Sequence, residues 1–290
     1  MCKSKPNNAT AAIFKCAILG FLVLLSGCAV KFAYNQLDWA VPWYLDDYMS
    51  LNSSQEKVFE VRLNRYLDWH RQTQLPEYGA FLDQVADDLE RGMTQESVHR
   101  IQERTRQLGR ALIERLIPDM VIFFRQASDE QVAELFARFA KENVEYSKEY
   151  LEISEKEQRK QRTRKVESYV ERWTGRLSRA QRDLVREGTD QYELMGAEFF
   201  EARLRWQAEF RRVLALRESE QVFEKALANL MLNEGFGRSE AFERKYGHNQ
   251  RLLQRLYLRL DSTLSRGQRE KAVDKLRNYA RDFYELAEQH

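Results

Sequence analysis

From Asn52 onward, apolar residues recur mostly three and four positions apart, the period of amphipathic helices, with charged residues between them. Helix starts are marked by small polar residues. Asn52 or Ser53 precedes an apolar-periodic stretch carrying Val58, Val61, Leu63, Tyr66, Leu67 and Trp69. Pro76 suits the first turn of a second helix, through Phe81, Leu82, Val85 and Leu89 to Gly92. Thr94 opens a third, which Pro118 is expected to kink or end just before the apolar run Met120–Phe124. Ser128 starts the next, and Ser154 a highly charged one reaching Trp173. Ser178 opens the longest pattern, predicted as one helix to Leu216, about 60 Å at ~1.5 Å per residue. Helix resumes over Val222–Leu232, breaks at Gly235-Phe-Gly237, and restarts at Ser239 and Ser265. The expected fold is all-α: an elongated bundle of long antiparallel helices over residues 51–290, divisible into sub-bundles at 51–150 and 154–290.

Composition agrees. Charged residues make up 32% of the chain, both signs are mixed evenly, and no proline follows Pro118.

The first 28 residues differ in kind. Lys3, Lys5 and Lys15 stand without an acidic residue, followed by the apolar run Cys16–Leu25 and then Leu25-Ser26-Gly27-Cys28. A basic segment, a short apolar segment and small residues at a cut form a secretory signal. The last four residues resemble the bacterial lipobox. That resemblance implies cleavage of residues 1–27, a diacylglycerol on the Cys28 thiol and, with Ala29 next, sorting to the outer membrane facing the periplasm. Two or three acyl chains would hold the protein at the membrane almost permanently. The three cysteines are Cys2, Cys16 and Cys28, so the mature body carries no thiol to mispair in an oxidising compartment. Its net charge falls from +2 to near −1, which gives no argument for a nucleic-acid partner.

Residues 28–50 form an aromatic-rich segment close to the anchor, with Phe32, Tyr34, Trp39, Trp43, Tyr44 and Tyr48. Packing onto the helical body is the favoured reading, because Asp38, Asp46 and Asp47 would be repelled by an anionic surface. The alternative places Tyr34, Trp39, Trp43 and Tyr44 at the membrane interface.

Three helix starts share a form: Leu51-Asn-Ser-Ser-Gln55, Leu177-Ser-Arg-Ala-Gln181 and Leu264-Ser-Arg-Gly-Gln268. Each has a tyrosine eleven residues after the glutamine, at Tyr66, Tyr192 and Tyr279. Ala127-Ser-Asp-Glu-Gln131 and Met93-Thr-Gln-Glu-Ser97 are weaker copies. The physical core is a capping box, in which Ser53, Ser178 or Ser265 accepts from the backbone and Gln55, Gln181 or Gln268 reaches back to it. The pattern resembles the Leu-Thr-x-x-Gln motif of Spy/CpxP-type periplasmic proteins, helical chaperones and stress modulators. The chain as a whole resembles an uncharacterised family of proteobacterial lipoproteins, a domain of unknown function. It does so through the lipobox, Tyr34-Asn-Gln-Leu-Asp-Trp39, Trp43-Tyr-Leu-Asp-Asp-Tyr48 and the Gln55 box.

Signatures of catalysis are weak. His70, His99, His248 and His290 are scattered, and Glu96-Ser-Val-His99 is a lone half of a di-iron pattern. No cofactor or metal is expected. Gly235-Phe-Gly237 reads as a turn, the Tyr192–Trp206 stripe as core, and the basic run Arg159–Lys165 as a solvated face. The sequence therefore favours a non-enzymatic envelope protein held to the membrane by its lipid, with an envelope protein or polypeptide as partner and chaperone-like binding. The alternative is a structural or assembly factor with one defined partner. An enzyme acting on cell wall or lipid has the least support.

Overall fold

The computed structural model describes residues 27–289, with side chains from Val30. The expected signal segment, with Leu25 and Ser26 of its lipobox-like end, lies outside the described residues, and Gly27 and Cys28 are seen only as backbone in the first turn of a helix. The protein is an elongated all-α bundle. In chain order the helices are α1 (Gly27–Tyr34), α2 (Leu37–Asp46), α3 (Ser53–Trp69), α4 (Leu75–Arg91), α5 (Gln95–Arg125), α6 (Asp129–Tyr146), α7 (Glu155–Thr174), α8 (Arg179–Asp190), α9 (Gly196–Leu214), α10 (Glu220–Leu232), α11 (Glu240–Asp261) and α12 (Arg266–Ala287).

Two expectations about helix boundaries need correcting. The predicted Ser178–Leu216 helix is two helices, α8 and α9, separated by Gln191–Met195. Asn249 of α11 explains the break. Its side chain accepts from the Glu193 N–H at 2.9 Å and donates to the Glu193 carbonyl at 2.8 Å, replacing bonds a continuous helix would make. Pro118 does not end its helix, since α5 runs through it for 31 residues, about 46 Å. Both Pro118 and Glu114, whose carbonyl the proline leaves without its helical donor, face solvent, where water can serve instead. Pro76 does stand in the first turn of α4, which ends at Gly92 as the sequence predicts. α3 passes into α4 through a π-turn at His70–Gln74, where the Leu75 N–H donates to the His70 carbonyl, and Pro76 sits in the turn that follows.

The first capping box also shifts by one residue. Asn52, not Ser53, caps α3: its side chain accepts from the backbone of Ser54 and Gln55, and Gln55 returns the bond to the Asn52 N–H. Ser53 is merely the first helical residue. Ser178 and Ser265 do cap, paired with Gln181 and Gln268.

The boxes meet in pairs. Gln55 and Gln131 exchange amide hydrogen bonds at 3.0 and 2.7 Å. Gln181 and Gln268 do the same at 2.9 and 3.0 Å. Each NH2 group also donates to the carbonyl two residues before its partner's cap: Gln55 to Gln126, Gln131 to Ser50, Gln181 to Thr263 and Gln268 to Arg176. Four helix starts are thus tied head to head in two equivalent knots. Every side-chain atom of Gln181 is used, which is how a residue only 2% exposed avoids a desolvation cost.

Packing crosses the 150–154 junction in both directions. α4 lies along α12, and α5 packs on α10. The α4–α12 approach is close at Gly79, where a β-carbon would stand 2.6 Å from the Tyr284 ring. The largest apolar core gathers Phe124, Phe136, Phe210, Phe223 and Leu227. Smaller cores surround Val185 and Leu256, then Leu75 and Leu286, and finally Ala86 and Val273.

Candidate ligand-binding site

α3 presents Val58, Arg62 and Tyr66, and the π-turn that continues it adds His70, at four-residue intervals, with Phe59, Leu63 and Leu67 beside them, so all lie on one helical face. α5 faces that stripe with Leu112, Leu116, Met120 and Phe123, and α2 adds Leu37 and Val41. The three helices enclose a cavity of about 470 Å3, within the range of small-molecule sites. Its walls are almost wholly apolar. Val61, counted with the apolar period in the sequence, points away and is 61% exposed.

Polar chemistry is confined to three places. At one end Gln55 and the Gln126 carbonyl belong to the first glutamine knot. In the middle, Arg62 Nη1 donates to Asp119 Oδ1 at 2.6 Å, linking α3 to α5. Arg62 Nε and Asp119 Oδ2 are buried with no hydrogen-bond partner among the described residues. Arg115 Nη1 lies 3.8 Å from Asp119 Oδ2, an ion pair beyond hydrogen-bond reach. At the other end His70 sits among Tyr34, Tyr66 and Tyr78, with the Tyr34 hydroxyl 2.9 Å from its Nδ1. Burial, reinforced by the Arg71 charge, pushes the His70 pKa down to about 4, so the ring is neutral at pH 7. Burial pushes the Tyr34 and Tyr66 phenols up to about 12. These are groups held neutral, in positions to orient a ligand. Among the described residues no cluster of three His, Cys, Asp or Glu is placed to hold a metal.

The aromatic segment divides between two surroundings. Tyr34 is buried against His70, and Arg71 stacks over its ring at 4.9 Å. Tyr48 packs edge-on against Phe139 and donates to Glu142 at 2.5 Å. Trp39, Trp43 and Tyr44 are exposed at 62%, 42% and 41%, as is Phe32 on α1. Packing onto the body therefore accounts for Tyr34 and Tyr48 but not for the others. On α2 the lining residues Leu37 and Val41 occupy one face, and the stacked pair Trp39–Trp43 the opposite one.

Other candidates resolve into structural parts. The basic run is not simply solvated. Arg159 donates to the carbonyl of Asp190, the last residue of α8, and to that of Tyr192 just beyond it, both at 3.1 Å, and Arg162 lies 3.6 Å over the Tyr192 ring. The Tyr192–Trp206 stripe is only partly core, because Phe199 is 42% exposed. Glu96 pairs with Arg100 at 3.0 Å, and His99 is exposed. Gly237 turns the chain with a positive φ of 80°. Arg62, Asp119 and His70 were not singled out from sequence. The four-residue interval Val58-Arg62-Tyr66-His70 was the available signal, a charged residue and a histidine set into an otherwise apolar face.

Among the described residues no helix is long and apolar enough to cross a membrane. Neither a curated protein nor a solved structure matches the chain. A family model does match, across residues 47–240, from the end of the aromatic segment to the start of α11 and including the α3 and α5 walls of the cavity. The chain belongs to DUF6279, a family of unknown function.

Proposed function

We propose that this is a lipid-anchored, non-enzymatic binding protein of the bacterial envelope, held on the periplasmic face of the outer membrane. The observation that carries the binding role is the apolar cavity between α2, α3 and α5, whose polar groups are neutral or paired rather than arranged as nucleophile and base. The lipobox sequence supports the anchor at Cys28. Support for a position close to the bilayer comes from α1, which docks on the body directly after Cys28. Val30 is buried there, and Lys31 pairs with Glu285 and, at 3.6 Å, with Asp282. The chaperone-like form of this reading supplies an apolar polypeptide segment as client.

The test is fractionation of cells expressing the full chain or its Cys28→Ala variant, with labelled palmitate supplied. The proposal expects label and membrane association for the native chain, and loss of both in the variant. An unlabelled native chain that keeps its first methionine would end the anchored reading. Crosslinking in intact cells addresses the partner, because a single dominant product would favour an assembly factor over a binder of many clients.

A further inference from the structure

Resting on the binding role proposed above, we infer that the α2–α3–α5 cavity takes a single long-chain fatty acid, with its carboxylate at Arg62 and its tail lying toward His70. Three observations point to this occupant. The walls offer aliphatic and aromatic surface along α3 with little that could satisfy a peptide backbone, since the Gln55 amide is already engaged in its knot. From Arg62 to His70 is about 12 Å along the helix, close to the ~15 Å that one acyl chain occupies in half of a ~30 Å hydrocarbon core. The charge beside the middle of the cavity is unbalanced, with the guanidinium groups of Arg62 in its wall and of Arg115 outside its lining set against the one carboxylate of Asp119. A carboxylate placed against the part-open Arg62 guanidinium would neutralise the excess. The Asp119 Oδ2 atom would stay beside Arg115.

Charge also chooses between sources. A diacylglycerol thioether on Cys28 has no anionic group to offer Arg62, so the structure assigns the cavity to a free fatty acid and not to the chain's own lipid. The outer face of α2, with Trp39 and Trp43 exposed, puts the roof of the cavity where a chain leaving a bilayer could enter beneath it.

The experiment uses full-length protein in phosphatidylethanolamine–phosphatidylglycerol nanodiscs and a photoactivatable palmitic acid, with labelled peptides identified by mass spectrometry. Saturable labelling is expected within 58–70 and 112–123, competed by palmitate at least ten times better than by hexadecanol. Leu116→Trp, which fills the cavity, should reduce labelling tenfold or more. Arg62→Gln should reduce it about fivefold and erase the preference for palmitate. If Leu116→Trp does not keep the native melting profile, Val58→Phe is the substitute, and the Arg62→Gln result stands by itself. Labelling confined to α1 and the outer face of α2 would overturn the inference. So would labelling that appears only when Cys28 is replaced, since the chain's own lipid would then be the occupant. Equal competition by hexadecanol, or displacement by an apolar peptide but not by palmitate, would overturn it as well. The preference for palmitate over hexadecanol and the Leu116→Trp and Arg62→Gln effects do not depend on whether Cys28 is acylated in cells, so failure here is separable from failure of the anchor.

Discussion

Gln181 and Gln268, 87 residues apart, hold each other by two amide hydrogen bonds of 2.9 and 3.0 Å while each also closes its own capping box. A capping glutamine ordinarily serves only its own helix. Here the same side chain fixes the start of a second helix and the carbonyl before it. The geometry makes the pair a cooperative unit, in which losing one member strands groups on the other.

Gln181→Ala should therefore cost about 2 kcal/mol, more than the ~1 kcal/mol of an ordinary cap, because the Gln268 amide and the Thr263 carbonyl lose a partner in a part-buried setting. Gln268→Ala should cost somewhat less, its site being more open. Urea unfolding of both singles and the double variant should give a coupling energy of about 1–2 kcal/mol. Additive losses would show that the two boxes act independently.

At the first box, the side chains of Asn52 and Ser53 have different roles. Asn52→Ala should lower stability by about 1 kcal/mol, and Ser53→Ala should leave it within ~0.5 kcal/mol of native. Thermal melting of the two variants decides between them.

Two glycines inside helices should respond with opposite signs. At Gly79 an added methyl group meets the Tyr284 ring, whose hydroxyl donates to Asp83 at 3.0 Å, so Gly79→Ala should destabilise by about 1–3 kcal/mol. At Gly109 nothing stands within 4 Å, and Gly109→Ala should stabilise α5 by about 0.5–1 kcal/mol. Chemical denaturation curves measured side by side would show both.

The depressed pKa of His70 makes stability depend on pH. The unfolded chain binds a proton near pH 6.5 that the folded chain refuses until about pH 4. Stability should be unaffected by this group above pH 6.5, and should fall steadily as pH drops from there toward 4. His70→Phe should flatten that part of the stability–pH curve. A slope unchanged by the substitution would place the titration elsewhere.

Trp39 and Trp43 should report contact with a bilayer. Tryptophan emission of full-length Cys28→Ala protein should shift to the blue when vesicles are added, and Trp39→Phe with Trp43→Phe should abolish the shift. No shift in the parent would remove the support that α2 lends to a bilayer-facing orientation.

Local features of the fold were legible in the sequence because they are set by local chemistry. Ser128, Ser154, Ser178, Ser239 and Ser265 all start helices, each side chain accepting from a backbone N–H three residues on. What depended on distant residues was not legible. The apolar period runs unbroken through Gln191–Met195, and the helix stops there because Asn249, 56 residues away, supplies replacement bonds to Glu193. Pro118, expected to kink or end its helix, lies inside α5, with both it and Glu114 exposed. The glutamine knots could not be foreseen from boxes at unequal intervals. The cavity was hidden for a related reason: Arg62 and Asp119 are unremarkable among 47 basic and 45 acidic residues until folding sets them face to face.

The placement of α12 has a consequence for the order in which the protein is assembled. Tyr284 closes on Asp83 across 201 residues, and the α4 surface it covers is made long before α12 is synthesised. An emerging chain must therefore carry α4 with its apolar side uncovered, and Gln181 without its counterpart, until the final two dozen residues arrive. A polypeptide ending near position 260 would be unable to close either gap.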